Sequence, residues 1–518
     1  MGNHLEPLDF AAILGYFAVI VFIGWWSSRS RGSTEEYFVG SRGMSPFIAG
    51  VSIIASLVSS ITYLAVPGEM VRNGPGWMWQ MLHAPISFFV VGYLIIPHIM
   101  KQRVTSAYEL LEVRFGMGVR KATSAMFVLS RIFWMGLVIY SCSLATSTIT
   151  GLPIQLLIVS VGVIGMSYTI VGGIRAVMIT DVVQFGILLG GAVLTLLYIT
   201  IRCGGVSGWW PDWESPAIQA LDWSKPKLFS LDPNVRMSVI SVMIYGCSYW
   251  IMTATGDQVI VQRFLSTKDT RAARRGFGLT IIGDLVKSAV LYLTGLALVG
   301  FYLRFPENLP DAARGISGQS DKLFPHFIAT VLPSGLTGLV VSAIFAAAMS
   351  CLNSGINSIS TVLVKDFPNV FARSCDTDAR QLRRAQYVGI LVGSIAIGMS
   401  FAVTYMPGEN LLEITVRLSS LLAAPLFVAF ALAFFAKRST PAGAWTGISV
   451  GAFLGFLLTF WTNILHFLLG YEGNMSITFI MPLSALGAYI AGVIVSRYTK
   501  EREGTDAPER VLHTGNPT

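Results

Sequence analysis

The stretch that decides the fold is ASLVSSITYLAVPGE, residues 55–69. It lies in an apolar segment long enough to cross a bilayer, yet hydroxyl-bearing residues crowd its middle, and Pro67 and Gly68 follow. Unwound backbone in the middle of a membrane is tolerated only where it lines a cavity or is buried in protein. The segment therefore predicts an interrupted membrane helix whose freed carbonyl groups can bind a cation.

A second segment of the same kind is YGCSYWIMTATGDQ, residues 245–258, which is again polar and contains glycine. It lies five predicted spans further along the chain. Close helix packing through small residues would explain either segment alone. Two interrupted segments in corresponding positions of two halves instead indicate a transporter built from inverted repeats.

The rest of the chain has the composition of a helical membrane protein. Of its 518 residues, 53% are hydrophobic and 12% are charged, whereas soluble domains carry about 25% charged residues. The apolar blocks are about twenty residues long, as a membrane-crossing helix requires, and they do not alternate as barrel strands do. The sequence therefore predicts an all-α integral membrane protein with about 13 transmembrane helices. Their approximate positions are 8–27, 46–70, 79–100, 122–149, 153–171, 174–201, 236–256, 276–303, 330–363, 385–405, 411–436, 441–466 and 477–497.

The basic residues predict the orientation of the chain. The loops rich in Lys and Arg are 28–43, 101–121 and 257–275. No Lys or Arg occurs in the short loops 150–152, 406–410 and 467–476. Because cytoplasmic loops carry the excess of Lys and Arg, we expect an extracellular N-terminus and a cytoplasmic C-terminal tail. The expected location is a cell membrane, specifically the inner membrane of a bacterium.

Several functional classes are disfavoured by what the sequence lacks. The net charge of +8 is spread among loops, so nucleic acid is not a predicted partner. No GxxxxGK[ST] motif is present to use ATP, and no HExxH motif or nucleophile–base pair indicates an enzyme. The predicted energy source is an ion gradient. The predicted partners are the lipid bilayer and a small-molecule solute, with no obligate protein partner.

The ninth span contains FAAAMSCLNSGINS, residues 345–358. Ala347, Ser350, Ser354 and Asn357 recur at spacings of three and four, so they share one helical face. Hydroxyl and carbonyl oxygens suit a hard monovalent cation. Packing through small residues would not require two serines and two asparagines so close together. This face is therefore the primary candidate for a sodium site.

Two charged residues lie within predicted spans. An ionised group in hydrocarbon is energetically costly and usually functional, so both are candidate functional residues. Asp181, in the sixth span, has no basic residue after it in that span, and a bound cation would neutralise it. Arg131, in the fourth span, has no acidic residue within reach along its helix. Its guanidinium can bind a substrate carboxylate or extend towards the membrane surface, and the sequence leaves both open.

Two further charged pairs have a simpler interpretation. Asp284 and Lys287 are one helical turn apart, and Glu413 and Arg417 are four residues apart. At these spacings, opposite charges on a helix interact with each other, and we expect both pairs to do so.

Three segments carry a resemblance to a known family: VTSAYELLEVRF (104–115), YTIVGGIRAVMITDVVQ (168–184) and GDQVIVQRFLSTKD (256–269). The chain resembles the sodium:solute symporters, which include sodium–glucose, vitamin, iodide and bacterial sialic acid transporters. The resemblance implies ten core helices in two inverted five-helix repeats of the leucine-transporter type. The implied division is an N-terminal segment with the first helix (1–45), a first repeat (46–202), an extracellular loop (203–235), a second repeat (236–436), two C-terminal helices (437–497) and a cytoplasmic tail (498–518).

The resemblance also implies ligands for sodium. The first site would use Ala55, Val58, Ala347, Ser350 and Cys351, the first three through backbone carbonyls. A possible second site, similar to that of the sialic acid branch, would use Asp181, Ser350, Asn353 and Ser354. This chain departs from the usual pattern at Cys351, where relatives have Ser or Thr, and at Asn353, which replaces a serine.

The implied solute pocket is aromatic with few charges. Its residues would be Ser59, Ser60, Thr62, Trp77, Gln80, Met81, Arg131, Trp134, Tyr249 and Trp250. The sialic acid branch would have an arginine near Trp134, and Arg131, one turn earlier, could replace it. The predicted function is sodium-coupled import of a small polar solute, namely a sugar, a sialic acid or related sugar acid, or a carboxylate. The alternative is a solute sensor or a sodium channel on the same scaffold.

Overall fold

The computed structural model describes residues 5–28, 34–102, 104–221, 223, 230–232, 234–310, 315–367, 378–405, 411–461, 464 and 476–499. Within these ranges every regular element of secondary structure is a helix. The helices are α1 (Pro7–Ser28), α2 (Thr34–Val39), α3 (Pro46–Leu57), α4 (Ser60–Asn73), α5 (Ala84–Phe89), α6 (Ile96–Met100), α7 (Glu109–Phe115), α8 (Met117–Thr150), α9 (Ile154–Arg202), α10 (Pro216–Gln219), α11 (Val239–Gly256), α12 (Gln258–Leu265), α13 (Thr270–Arg304), α14 (Ser320–Thr330), α15 (Leu336–Asp366), α16 (Asp378–Val403), α17 (Leu411–Phe435), α18 (Pro441–Thr459) and α19 (Ile477–Tyr498). The predicted all-α class is confirmed.

Eleven helical stretches in the described residues are long and apolar enough to cross a membrane. One of them runs from Ser60 to Met100, and two shorter apolar helices, Pro46–Leu57 and Ile154–Ser167, fall below that length. The count of about 13 is therefore not confirmed. The loop at 406–410, most of the loop at 467–476 and the tail from residue 500 lie outside the described residues.

Both predicted interruptions are present, and each has a local cause. Val58 is extended (φ −84°, ψ 104°), and Ser59 then caps α4 by accepting a hydrogen bond from the Thr62 amide at 3.4 Å. Asp257 is also extended (φ −87°, ψ 115°), and its side chain accepts from the Val259 amide at 2.9 Å. Ser and Asp are favoured helix caps because they bind a free amide of the first turn. Asp257 therefore ends α11 and begins α12, whereas Val58 ends α3 and Ser59 begins α4.

Two glycines shape the helices around the first interruption. Gly173, within α9, has φ 64° and ψ −176°; positive φ strains residues that have a Cβ, so the predicted fifth and sixth spans meet at this glycine. Gly50 lies where α3 crosses α13, and a Cβ there would be 2.3 Å from the Gly276 carbonyl oxygen. Glycine therefore lets α3 pack directly on the α13 backbone.

Helix α15 lies at the centre of the protein. Its most apolar window is 94% buried, against 22% for that of α1. It packs against α8 and α9 and also contacts α3, α4 and α12. A helix surrounded by protein in this way is not available to lipid, so its serines and asparagines face other helices.

Candidate sodium and solute sites

The first interruption leaves carbonyl groups free beside α15. The Val58 amide donates to the Ile54 carbonyl at 3.0 Å, and the last carbonyls of a helix have no partner within it. Ala55 and Val58 belong to this last turn, and Ala347 on the facing helix is buried. The Cys351 thiol donates to the Ser56 carbonyl at 3.1 Å. In this structure the thiol therefore satisfies a carbonyl of α3.

Asp181 is fully buried and accepts hydrogen bonds from three serines. Ser350 donates to its Oδ1 at 2.7 Å, and Ser52 and Ser56 donate to its Oδ2 at 2.6 and 3.2 Å. Ser56 and Ser354 lie 2.7 Å apart through their hydroxyl oxygens. The structure thus brings Asp181 of α9 together with Ser350 of α15, two members of the predicted second site, and adds the hydroxyls of α3 to them.

The carboxylate also has a protein cation as its partner. Arg263, on α12, is fully buried, and its Nη2 lies 3.0 Å from Asp181 Oδ2. The same nitrogen donates to Ser354 Oγ at 2.6 Å, and Nε donates to Ser52 Oγ at 2.6 Å. The expectation that a bound cation neutralises Asp181 therefore needs correction, because Arg263 already does so. Arg263 lies within the predicted loop 257–275, where no buried charge was expected.

The two asparagines of the ninth span have different surroundings. Asn353 accepts a hydrogen bond from the Thr169 hydroxyl on α9. Asn357 is 2% exposed, and its amide atoms have no hydrogen-bond partner among the described residues. Buried polar atoms are normally satisfied by protein, water or an ion. The amide atoms of Asn357 are therefore available to a water molecule.

A cavity of about 730 Å³ adjoins the first interruption. We call it the Trp77 cavity. Of the predicted pocket residues, Thr62, Trp77, Gln80, Trp134, Tyr249 and Trp250 line it. Leu57 and Val58 also line it, so the backbone of the first interruption forms part of its wall.

A second cavity, of about 780 Å³, contains Arg131 and is called the Arg131 cavity. It shares Leu57, Trp134, Tyr249 and Ser419 with the Trp77 cavity, so these four residues lie between the two. Arg131 forms an ion pair with Asp257 at the second interruption. This partner was not predicted from the sequence, because Asp257 lies at the junction of α11 and α12, far along the chain from Arg131 on α8.

Three predicted pocket residues do not line either cavity. The Ser59 hydroxyl caps α4. The Ser60 hydroxyl lies 2.6 Å from Ser141 Oγ and donates to the Val138 carbonyl at 3.0 Å, both on α8. Met81 is partly buried against the core. Their predicted contact with solute has no support from the geometry.

The lining of the Trp77 cavity includes two charged residues that the sequence did not predict to lie there. Asp284 and Lys287 of α13 line it together with Ser288, and Lys287 Nζ lies 2.8 Å from Asp284 Oδ1. Their pairing with each other was predicted and is confirmed, but their position in the cavity wall was not foreseen. Glu413 binds Arg236 at 3.0 Å, and its pairing with Arg417 stays a prediction.

The sequence profile described as the Sodium:solute symporter family matches residues 37–451. The chain belongs to the sodium:solute symporter family. Among its relatives, a sodium/sialic acid symporter from Proteus mirabilis is 28% identical over 486 residues, covering 92% of this chain and 95% of that protein. Human sodium-coupled monocarboxylate transporter 1 is 28% identical over 466 residues, covering 88% and 73%.

Solved structures of symporters share this fold. The substrate-bound outward-open state of a Na⁺-coupled sialic acid symporter gives a TM-score of 0.79 at 26% identity, covering 96% of this chain and 99% of that one. Mhp1, a nucleobase-cation-symport-1 family transporter, gives a TM-score of 0.56 at 14% identity, covering 89% and 94%; this supports the fold alone. The leucine-transporter-type fold is therefore confirmed, and so is the prediction of a sodium-coupled multi-pass symporter that is not an enzyme.

Proposed function

We propose that sodium binds between the last turn of α3 and the facing turn of α15. The ligands would be the carbonyls of Ala55, Val58 and Ala347 and the Ser350 hydroxyl. Oxygen ligands suit a hard monovalent cation. Cys351 is the weakest member of the predicted set, because its thiol is soft and donates to the Ser56 carbonyl.

The second predicted sodium site, at Asp181, Ser350, Asn353 and Ser354, stays a proposal with an added condition. Arg263 compensates the Asp181 charge at 3.0 Å, so a second sodium would have to displace the guanidinium or share the carboxylate with it. Asn353 would also have to turn away from Thr169. We therefore expect the first site to bind sodium more tightly than the second.

Coupling between ion and solute follows from one observation. Val58 belongs to the proposed sodium site and also lines the Trp77 cavity. Sodium bound at its carbonyl would fix the first interruption against α15 and so order one wall of the solute cavity. A ligand shifts an equilibrium only by binding one state better than the other. Sodium therefore promotes solute binding by favouring the state with an ordered wall.

The direction of transport and the orientation are further proposals. The distribution of Lys and Arg among the loops supports an extracellular N-terminus and a cytoplasmic tail. The proposed location is a bacterial inner membrane. The division into repeats at 46–202 and 236–436 is supported by an interruption near the start of each. In this orientation sodium and solute enter from outside, and the low cytoplasmic sodium concentration favours their release inside. No obligate protein partner is required by this scheme.

The solute is proposed to be a sugar, a sialic acid or related sugar acid, or a small carboxylate. Two relatives are named for sialic acid and monocarboxylates, and the Trp77 cavity combines aromatic walls with polar groups. Uptake of such solutes into proteoliposomes, with sodium or choline outside, tests the proposal. We expect uptake only with sodium. Uptake at an equal rate in choline would overturn it.

A further inference from the structure

The charged pair Asp284–Lys287 is part of the solute cavity. Both side chains line the Trp77 cavity, and their closest atoms are 2.8 Å apart. Structural ion pairs within membrane helices do not need to face a cavity. Charges that do face one are normally part of a pathway or a binding site.

The carboxylate of this pair is held from a second side. His83 Nε2 lies 3.3 Å from Asp284 Oδ2, and His83 Nδ1 lies 3.2 Å from Ser87 Oγ. The His83 ring also stacks on Trp250, with ring centroids 5.9 Å apart. Asp284 is therefore fixed, and it fixes the Lys287 ammonium in the wall. An ammonium has three N–H donors, and its contact with Asp284 Oδ1 accounts for one.

The lining of the cavity also includes a polar atom that the described residues leave unsatisfied. Thr415 of α17 lines the Trp77 cavity, and its buried hydroxyl has no hydrogen-bond partner among the described residues. Such a group needs a ligand or a water molecule. The lining of the cavity therefore includes a cation, aromatic rings and a hydroxyl that has no partner among the described residues.

Arg131 is less suited to bind the solute. It is paired with Asp257 and lines the Arg131 cavity rather than the Trp77 cavity. Among the described residues that line the Trp77 cavity, Lys287 is the one lysine or arginine.

We propose that Asp284 and Lys287 determine specificity, so that the transported solute is an organic anion whose carboxylate binds Lys287. This inference rests on the proposed function, because it assigns the solute to the Trp77 cavity. Without solute, Asp284 balances the ammonium. With solute, the added negative charge lies in the cavity that Val58 also lines, and sodium bound there would attract it. The anion and the sodium ion then stabilise each other.

The test uses the purified full-length protein and titration calorimetry in sodium chloride. N-acetylneuraminate, gluconate and lactate are each compared with the corresponding methyl ester, which has the same skeleton without the charge. We expect at least one acid to bind and its ester to bind about tenfold or more weakly, because a hydrogen bond to a charged group is lost. Binding of an ester as tight as that of its acid overturns the proposal, as does a failure of all three acids to bind.

The variants assign the effect to Lys287. Lys287→Met should weaken acid binding about tenfold or more, whereas Lys268→Met, at an exposed lysine outside both cavities, should leave it unchanged. The double variant Asp284→Asn/Lys287→Met leaves no unpaired charge and should fold, retain sodium binding and still lose the acid. Acid binding that survives in both Lys287 variants overturns the proposal. Sodium-independent acid binding would instead contradict the proposed function, so the two failures are distinguishable.

Discussion

Asp181 and Arg263 illustrate how single residues are balanced inside this membrane protein. Both side chains are fully buried, and they form hydrogen bonds with four serines and the Val259 carbonyl. Removing one member of a buried pair costs about 3–5 kcal/mol, because the other charge is left without compensation. Replacing both members by neutral groups is often far less costly.

The first prediction concerns this pair. Asp181→Asn should lower the melting temperature strongly, by the equivalent of about 3–5 kcal/mol, because it leaves Arg263 buried and unpaired. Asp181→Asn/Arg263→Met should recover much of that loss. Thermal melting of the purified protein in detergent measures both. A double variant less stable than Asp181→Asn would contradict the role of charge balance.

The sequence predicted part of this cluster, for a clear reason. Helical periodicity placed Ser350 and Ser354 on one face, and burial of charge marked Asp181. Arg263 was missed because it follows an interruption, where residues 259–264 (VIVQRF) were interpreted as a loop. Its partner is 82 residues away, and no periodicity connects positions on different helices.

At the scale of elements, the close crossing of α3 and α13 positions the first interruption. At Gly50 a Cβ would meet the Gly276 carbonyl oxygen at 2.3 Å, which requires the helices to separate. Gly50→Ala should therefore destabilise the protein by about 1–3 kcal/mol, as overpacking does, and raise the sodium concentration needed for uptake. Gly186→Ala is the matched control, because a Cβ there meets nothing within 4 Å.

The prediction would be wrong if the Gly50→Ala protein had the same melting temperature and sodium requirement as the Gly186→Ala protein.

The interruption beside this crossing was predictable from the sequence, because Ser, Pro and Gly within an apolar block disfavour a continuous helix. The position of Asp284 and Lys287 was not predictable. Their spacing predicted that the two side chains pair with each other. Which face of α13 borders a cavity depends on how α13 packs against other helices, and the spacing does not show this.

At the scale of the whole molecule, a charged bridge connects helices of the two proposed repeats. Arg236 binds Glu69 at 2.6 Å and Glu413 at 3.0 Å. Glu69 lies near the end of α4, one turn beyond Val66, and Glu413 lies two residues before Thr415 at the start of α17. Val66 and Thr415 line the Trp77 cavity. The bridge therefore joins the two helices next to the solute cavity, on the side proposed to be extracellular.

Weakening this bridge should make the cavity more accessible from outside. Glu413→Gln removes one ion pair and leaves the buried Glu69 compensated by Arg236. In a Thr415→Cys background, we expect a membrane-impermeant thiol reagent to label Cys at this position faster when Glu413→Gln is added. Glu307→Gln, at an exposed acid, is the control. Equal labelling rates in the two backgrounds would show that the bridge does not restrict access.

The central claim is that sodium binds at Ser350 beside the first interruption. Its most direct test is to measure the melting temperature of the purified protein at increasing sodium chloride concentrations. Choline chloride replaces sodium chloride so that the ionic strength stays constant. An ion that binds only the folded state raises the melting temperature as the ion concentration increases. We predict a sodium-specific rise whose midpoint moves to about tenfold higher sodium in Ser350→Ala, the loss expected for one ligand. It should not move in Ser342→Ala, whose hydroxyl binds the Gly338 carbonyl of the same helix at 2.8 Å. The same midpoint in wild type and Ser350→Ala, or no sodium-specific rise in wild type, would contradict the claim.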